Sequence, residues 1–148
     1  MREYVVAALF FCVLSAEKCQ QAPKFAVGIT LTQTESYCGG AMPPPELLED
    51  LNTPKPYAGK QVFLFNDALI CLDSIEASDT SFKTALSAGH YTLRLVPQLV
   101  EIEMLSTEKE RCEAAHEQRI LSMFEISSDT SLTANLHFAC DPCMPPPP

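Results

Sequence analysis

Tryptophan is absent from the sequence, and four tyrosines and eight phenylalanines supply all of its aromatic surface. A platform that stacks sugar rings on exposed aromatic faces is therefore thinly provided for. Basic residues are scarce: ten Lys and Arg stand against nineteen Asp and Glu, a net charge of −9. Phosphate backbones and anionic membrane surfaces need a basic footprint, so the composition makes nucleic acid and acidic lipid poor partners, and no nucleic acid is expected. No apolar run approaches the ~20 residues of a spanning helix. The longest, Tyr4 to Leu14, lies next to the N-terminus. Nucleophile-elbow, H-E-x-x-H and P-loop sequences are missing as well, which removes common hydrolase and nucleotide chemistries.

What is present starts with that N-terminal run. Arg2 gives a short positive region, Tyr4 to Leu14 an apolar stretch, and Ser15-Ala16 a small-residue cleavage site. This is the layout of a secretory leader over residues 1–16, cleaved after Ala16. A lipoprotein signal would place a small residue directly before the modified cysteine. Phe11 and Lys18 precede Cys12 and Cys19 instead. Cleavage removes Arg2 and Glu3 together, so the mature charge stays the same. It also removes Cys12 and leaves Cys19, Cys38, Cys71, Cys112, Cys140 and Cys143. An even count behind an export signal reads as disulfides, with fifteen full pairings open for six cysteines. The expected location is secreted, periplasmic or envelope-bound in a bacterium, with no transmembrane segment after cleavage.

Residues 17–24 are polar and expected to be flexible. Phe25, Val27, Ile29 and Leu31 then alternate with Ala26, Gly28, Thr30 and Thr32, a half-buried strand. Tyr37-Cys38-Gly39-Gly40 and Pro43 to Pro45 make a long loop leading to a short helix over 46–51, with Leu47, Leu48 and Leu51 expected to dock on the core. Further strands are expected over 61–65, 68–75, 82–86, 91–95 and 99–104, then near Phe124 and Ile126, and over 132–138. Thr107 to Glu110 has capping-box form and opens a helix to about Gln118 with a thin inner stripe. About seven short strands with two short helices indicate an all-β sandwich over residues 25–140. A Cys/Pro-rich tail, 141–148, closes the chain.

The stretch Ile75 to Leu95, IEASDTSFKTALSAGHYTLRL, resembles the strand–turn–strand–turn–strand signature of carboxypeptidase regulatory-like (transthyretin-like) domains. Asp79, Phe82, Leu86, Gly89 and Tyr91 carry the likeness. His90 stands where Thr is usual, and the turn at Asp79 lacks the usual glycine. SYCGGAMPPPELLEDLNTPKPYAGKQVFL, an isolated mid-chain cysteine and a terminal H-F-x-C-x-x-C-M-P-P are similar to a group of bacterial envelope proteins carrying this domain. The resemblance implies a Greek-key β-sandwich with a structural or accessory role, no catalysis and no cofactor.

The residues themselves offer three chemistries. His137, Cys140, Cys143 and Met144 would together suit copper, or zinc without the methionine, if the two thiols stayed free. Against this, an oxidising compartment turns the thiols into disulfides. The same C-x-x-C as a thioredoxin-like redox pair would need a helix start, which Pro142 and Pro145 to Pro148 forbid. Cys38, beside two glycines, could act as a nucleophile with His90, His116 or His137, or simply form a disulfide at a turn. Glu101 and Glu103 have the spacing of any strand with one wet face. Tyr37 and Tyr57 flank the long loop and could contribute to a protein or glycan surface, or anchor the loop. The pairing expected is Cys38 and Cys112 with the terminal Cys140 and Cys143, leaving Cys19 and Cys71 to pair with each other or to stay apart. These observations favour a non-catalytic interaction or structural module, with a small metal-binding protein as the second reading.

Overall fold

The computed structural model of the chain describes residues 22–76 and 81–143. The leader, Cys19, Asp79, Met144 and the proline tail lie outside the described residues. Among the described residues eight strands form two four-stranded sheets. The first sheet is built around β1 (Lys24–Glu35), which pairs antiparallel with β2 (Lys55–Pro56) and β5 (Ser81–Ser87), and parallel with β8 (Thr130–Phe138). The second runs β4 (Cys71–Ile75), β3 (Val62–Asn66), β6 (Gly89–Arg94), β7 (Ser122–Ile126), all antiparallel. The all-β sandwich is thus as the alternation predicted. The eighth strand is the two-residue β2, too short to leave a periodic signal.

Alternation decides which side chains meet between the sheets. Val27, Ile29 and Leu31 of β1 and Ala134 and Leu136 of β8 face Val62, Leu64, Ile75, Leu93 and Ile126 of the other sheet in one buried cluster. Four connections between described strands switch sheets: β2–β3, β4–β5, β5–β6 and β7–β8. Between β5 and β6 the chain turns at Gly89, whose φ of +152° L side chains rarely adopt. The Tyr91 hydroxyl then reaches back to donate to the Ser87 carbonyl at 2.8 Å, the tyrosine-corner bond of sandwich folds.

Several expectations change. Residues 68–70 belong to the turn between β3 and β4, where Leu69 takes a left-handed φ of 58°. Three residues placed in a strand over 99–104 form a single 3-10 turn, Ile102–Met104, carrying Glu103, with Glu101 at its cap. Pro97 and the 3-10 bonds from Met104 and Leu105 back to Glu101 and Ile102 interrupt any ladder there. Helix α1 (Pro45–Asn52) forms with proline at its start, yet buries no residue; Leu47 and Leu48 are exposed rather than docked. The Thr107–Glu110 capping box is present, and it opens helix α2 (Glu108–Glu117), which also buries nothing.

The crossover between β6 and β7, containing α2, meets the second sheet at Arg94, the last residue of β6. Phe65 is buried there, apart from the core cluster, with the Arg94 guanidinium over its ring at 5.8 Å. Gln118 ties the crossover down. Its carbonyl accepts from Arg94 Nη1, its Oε1 accepts from the Val100 amide at 2.6 Å, and its Nε2 donates to the Ala114 carbonyl. Burial lowers the Arg94 pKa from its ordinary value, but a guanidinium stays charged.

Candidate functional site

The parallel ladder between β1 and β8 runs in register to Thr34↔His137 and Glu35↔Phe138. One further bond, Ser36 N–H to the Phe138 carbonyl at 2.9 Å, carries it just past the strand ends. Two chains held side by side by a ladder bring the next residues within bridging distance. Cys38 and Cys140 therefore meet in a disulfide, their Cα atoms 5.5 Å apart. Three residues later Cys143 bonds Cys112 of α2. The terminal pair thus holds the long loop and the second helix, as the sequence suggested. Two disulfides within one small domain are the mark of an oxidising environment.

Each disulfide sits where hydrophobic burial is missing. The loop after Cys38 carries α1 and the crossover carries α2, and neither helix buries a side chain. In the chain-entropy model, the 102-residue separation of Cys38 and Cys140 corresponds to about 4.7 kcal/mol, and the 31-residue separation of Cys112 and Cys143 to about 3.7 kcal/mol.

His137 projects from the outer face of β8, as its alternation with Leu136 and Phe138 requires. Its Nδ1 lies 3.1 Å from Thr34 Oγ1, and its Nε2 lies 3.0 Å from Ser36 Oγ. Asn135 Nδ2 donates to the same Thr34 oxygen at 3.0 Å, and Thr32 Oγ1 donates to Asn135 Oδ1 at 3.2 Å. Both ring nitrogens of His137 are engaged by hydroxyls, and the sulfurs of Cys140 and Cys143 are engaged in separate bonds. Met144 lies outside the described residues. Cys38 is no free thiolate, so the nucleophile reading has lost its sulfur in this oxidised state. Its other candidate bases lie elsewhere: His90 on β6, with its backbone amide bonded to Asp67 Oδ2, and His116 on α2 beside Arg119.

Tyr57 is a core residue, 3% exposed, with its hydroxyl donating to the Lys60 carbonyl at 2.5 Å. It anchors the loop rather than presenting a face. Burial raises its pKa above 10.0, with the Lys60 bond working the other way. Tyr37 is half-buried and folds over Gly39, where a Cβ would fall 2.1 Å from its hydroxyl. Cys71 is half-buried on β4 and has no disulfide partner among the described residues.

Sequence reasoning missed Thr34, Ser36 and Asn135 as neighbours of His137. Their outward alternation was visible, but the pairing of the first strand with the last, parallel and 103 residues apart, leaves no local trace. It also missed the clefts. The larger, about 510 Å³, lies between the β3–β4 turn and the end of β5, with Lys24, Asp67, Asp73 and His90 on its walls. Compared with known proteins, the chain matches no family model and no curated protein.

Proposed function

We propose that the chain is an exported, non-catalytic β-sandwich of the bacterial envelope, a carboxypeptidase regulatory-like module that binds or holds a partner. The carrying observation is that four cysteines are spent on two disulfides, one joining the chain just past β1 to the chain just past β8 and one holding α2 to the segment after β8. Thiols committed to structure are not available for nucleophilic, redox or soft-metal chemistry. Helix α1 displays Leu47 and Leu48 to solvent, which suits a surface that meets another molecule.

Intact mass of the exported protein, with thiol labelling before and after reduction, tests this reading. The expected result is a chain beginning at Glu17, without lipid, in which Cys38, Cys112, Cys140 and Cys143 label only after reduction. A retained leader, or free thiols at those four positions in the exported protein, overturns it. A turnover that Cys38→Ser abolishes while the fold persists would restore an enzyme.

A further inference from the structure

The inward row of β1 changes character part-way along. Phe25, Val27, Ile29 and Leu31 pack between the sheets, but the next residues in the same phase are Gln33 and Glu35. Their parallel partners on β8, Leu136 and Phe138, remain apolar. Polar side chains continuing a core row are a local violation of patterning, and such violations gather at functional positions. Here they form one wall of a cleft of about 280 Å³, whose other lining includes Tyr57, Lys60, Leu95 and Phe138.

Three features define what this cleft would take. Its charged groups are one carboxylate and one ammonium, Glu35 and Lys60, and neither enters an ion pair among the described residues. The carboxylate is oriented, since Gln33 Nε2 donates to Glu35 Oε1 at 3.2 Å. Lys60 is held at the rim by the Tyr57 hydroxyl on its carbonyl, with Gly59 pressed so close that a Cβ there would lie 2.6 Å from the Tyr57 ring. Leu95 and Phe138 supply apolar lining to the same cleft.

We propose that this cleft binds a small zwitterion, a free α-amino acid with an apolar side chain. The ammonium meets Glu35, the carboxylate meets Lys60, and the side chain lies on Leu95 and Phe138. The volume falls just below the roughly 300 Å³ at which sites for drug-sized ligands begin, so the ligand is small. A net charge of −9 repels free anions, while a zwitterion carries no net charge to repel. A neutral sugar fits less well. It would pair with neither the Glu35 carboxylate nor the Lys60 ammonium. The assignment rests on the reading of the chain as a binding module and names its ligand class.

The test is a titration of the exported, disulfide-intact protein, followed by amide shifts, with L-leucine, isoamylamine and glucose as probes. L-Leucine is expected to saturate and to shift Gln33, Glu35, Lys60 and Phe138. Isoamylamine, which lacks the carboxylate, should bind about tenfold or more weaker, the usual scale for losing one charged hydrogen bond. In Lys60→Met that difference should vanish, and in Glu35→Gln both amines should weaken by a similar factor. Both side chains are on the surface, and unchanged amide spectra would show that the variants fold. No saturable shift with L-leucine, equal binding of isoamylamine to the native chain, or saturation by glucose instead would each overturn the assignment. Such a failure with the cleaved, disulfide-bonded mass confirmed leaves the module reading standing. A retained leader or free thiols would sink that reading whatever the cleft binds.

Discussion

Cys112 is bonded to Cys143, and this bond joins a helix that buries no side chain to the segment following the last strand. The capping box and the Gln118 bonds shape α2 locally, but the covalent link fixes where it lies. Cys112→Ser combined with Cys143→Ser should release the helix without dissolving the sandwich. Amide exchange at Arg111 and Gln118, which bond Thr107 and Ala114 carbonyls, should accelerate, while the β1–β8 ladder keeps its protection. The global stability lost should not exceed about 3.7 kcal/mol. Undiminished protection of α2 in that variant would show that packing holds it after all.

The Tyr91 hydroxyl bond to the Ser87 carbonyl closes the turn that carries the chain from one sheet to the other. Tyr91→Phe keeps the buried ring and removes only the donor, so it should lower stability by about 1 kcal/mol in denaturant titration. It should also blunt alkaline unfolding. Burial first, and then the Asp67 carboxylate, raise the Tyr91 pKa above 10.0. A raised folded value means that its stabilisation is whole below pH 10 and fades as pH climbs through that value. Tyr57 is raised too, so the variant should lose part of the alkaline slope and keep the rest.

Leu69 holds a left-handed φ of 58° and is 56% exposed. The backbone geometry is set by the bonds around it: its amide donates to the Asn66 carbonyl, and the Ile70 amide donates to Asn66 Oδ1. A leucine in this conformation costs about 1–2 kcal/mol relative to an unstrained one. Leu69→Gly relieves that strain and gives up little burial, although glycine has more unfolded-state entropy to lose. The expected net is a gain of about 0.5 kcal/mol or more in denaturant midpoint analysis, and a loss would show that the exposed leucine contributes more than the turn.

At the start of α2, Thr107 Oγ1 accepts from the Glu110 amide at 3.1 Å, and the Glu110 carboxylate accepts from the Thr107 amide at 3.0 Å. These bonds favour the ionised acid, first through the Thr107 backbone and then its hydroxyl, and lower the Glu110 pKa below 4.5. A depressed folded value contributes above the unfolded pKa and is lost as pH falls through the folded one. Exchange at the first turn of α2 should therefore quicken on acidification, and Glu110→Gln should flatten that response. Thr107→Ala should destabilise the helix start by about 1 kcal/mol at neutral pH.

The sequence by itself determined what local periodicity and chemistry can determine. Phe25 to Leu31 and Leu132 to Phe138 alternate, so they declare strands and their inward faces. Thr107 and Glu110 declare a helix start because a capping box involves only neighbouring residues. Scarce basic residues and six cysteines behind a leader-like run pointed to disulfides before any geometry was known. Helix docking was misread at Leu47 and Leu48, since an amphipathic pattern states which face is apolar and not whether anything lies opposite it. Only the tertiary structure paired β1 with β8, because a parallel ladder between residues 103 apart has no signature in either strand. That pairing set Cys38 beside Cys140, ringed His137 with Thr34 and Ser36, and put Gln33 and Glu35 at the mouth of a cleft with Lys60. Such juxtapositions depend on register across the whole chain, and register is decided when the two sheets bury their faces together.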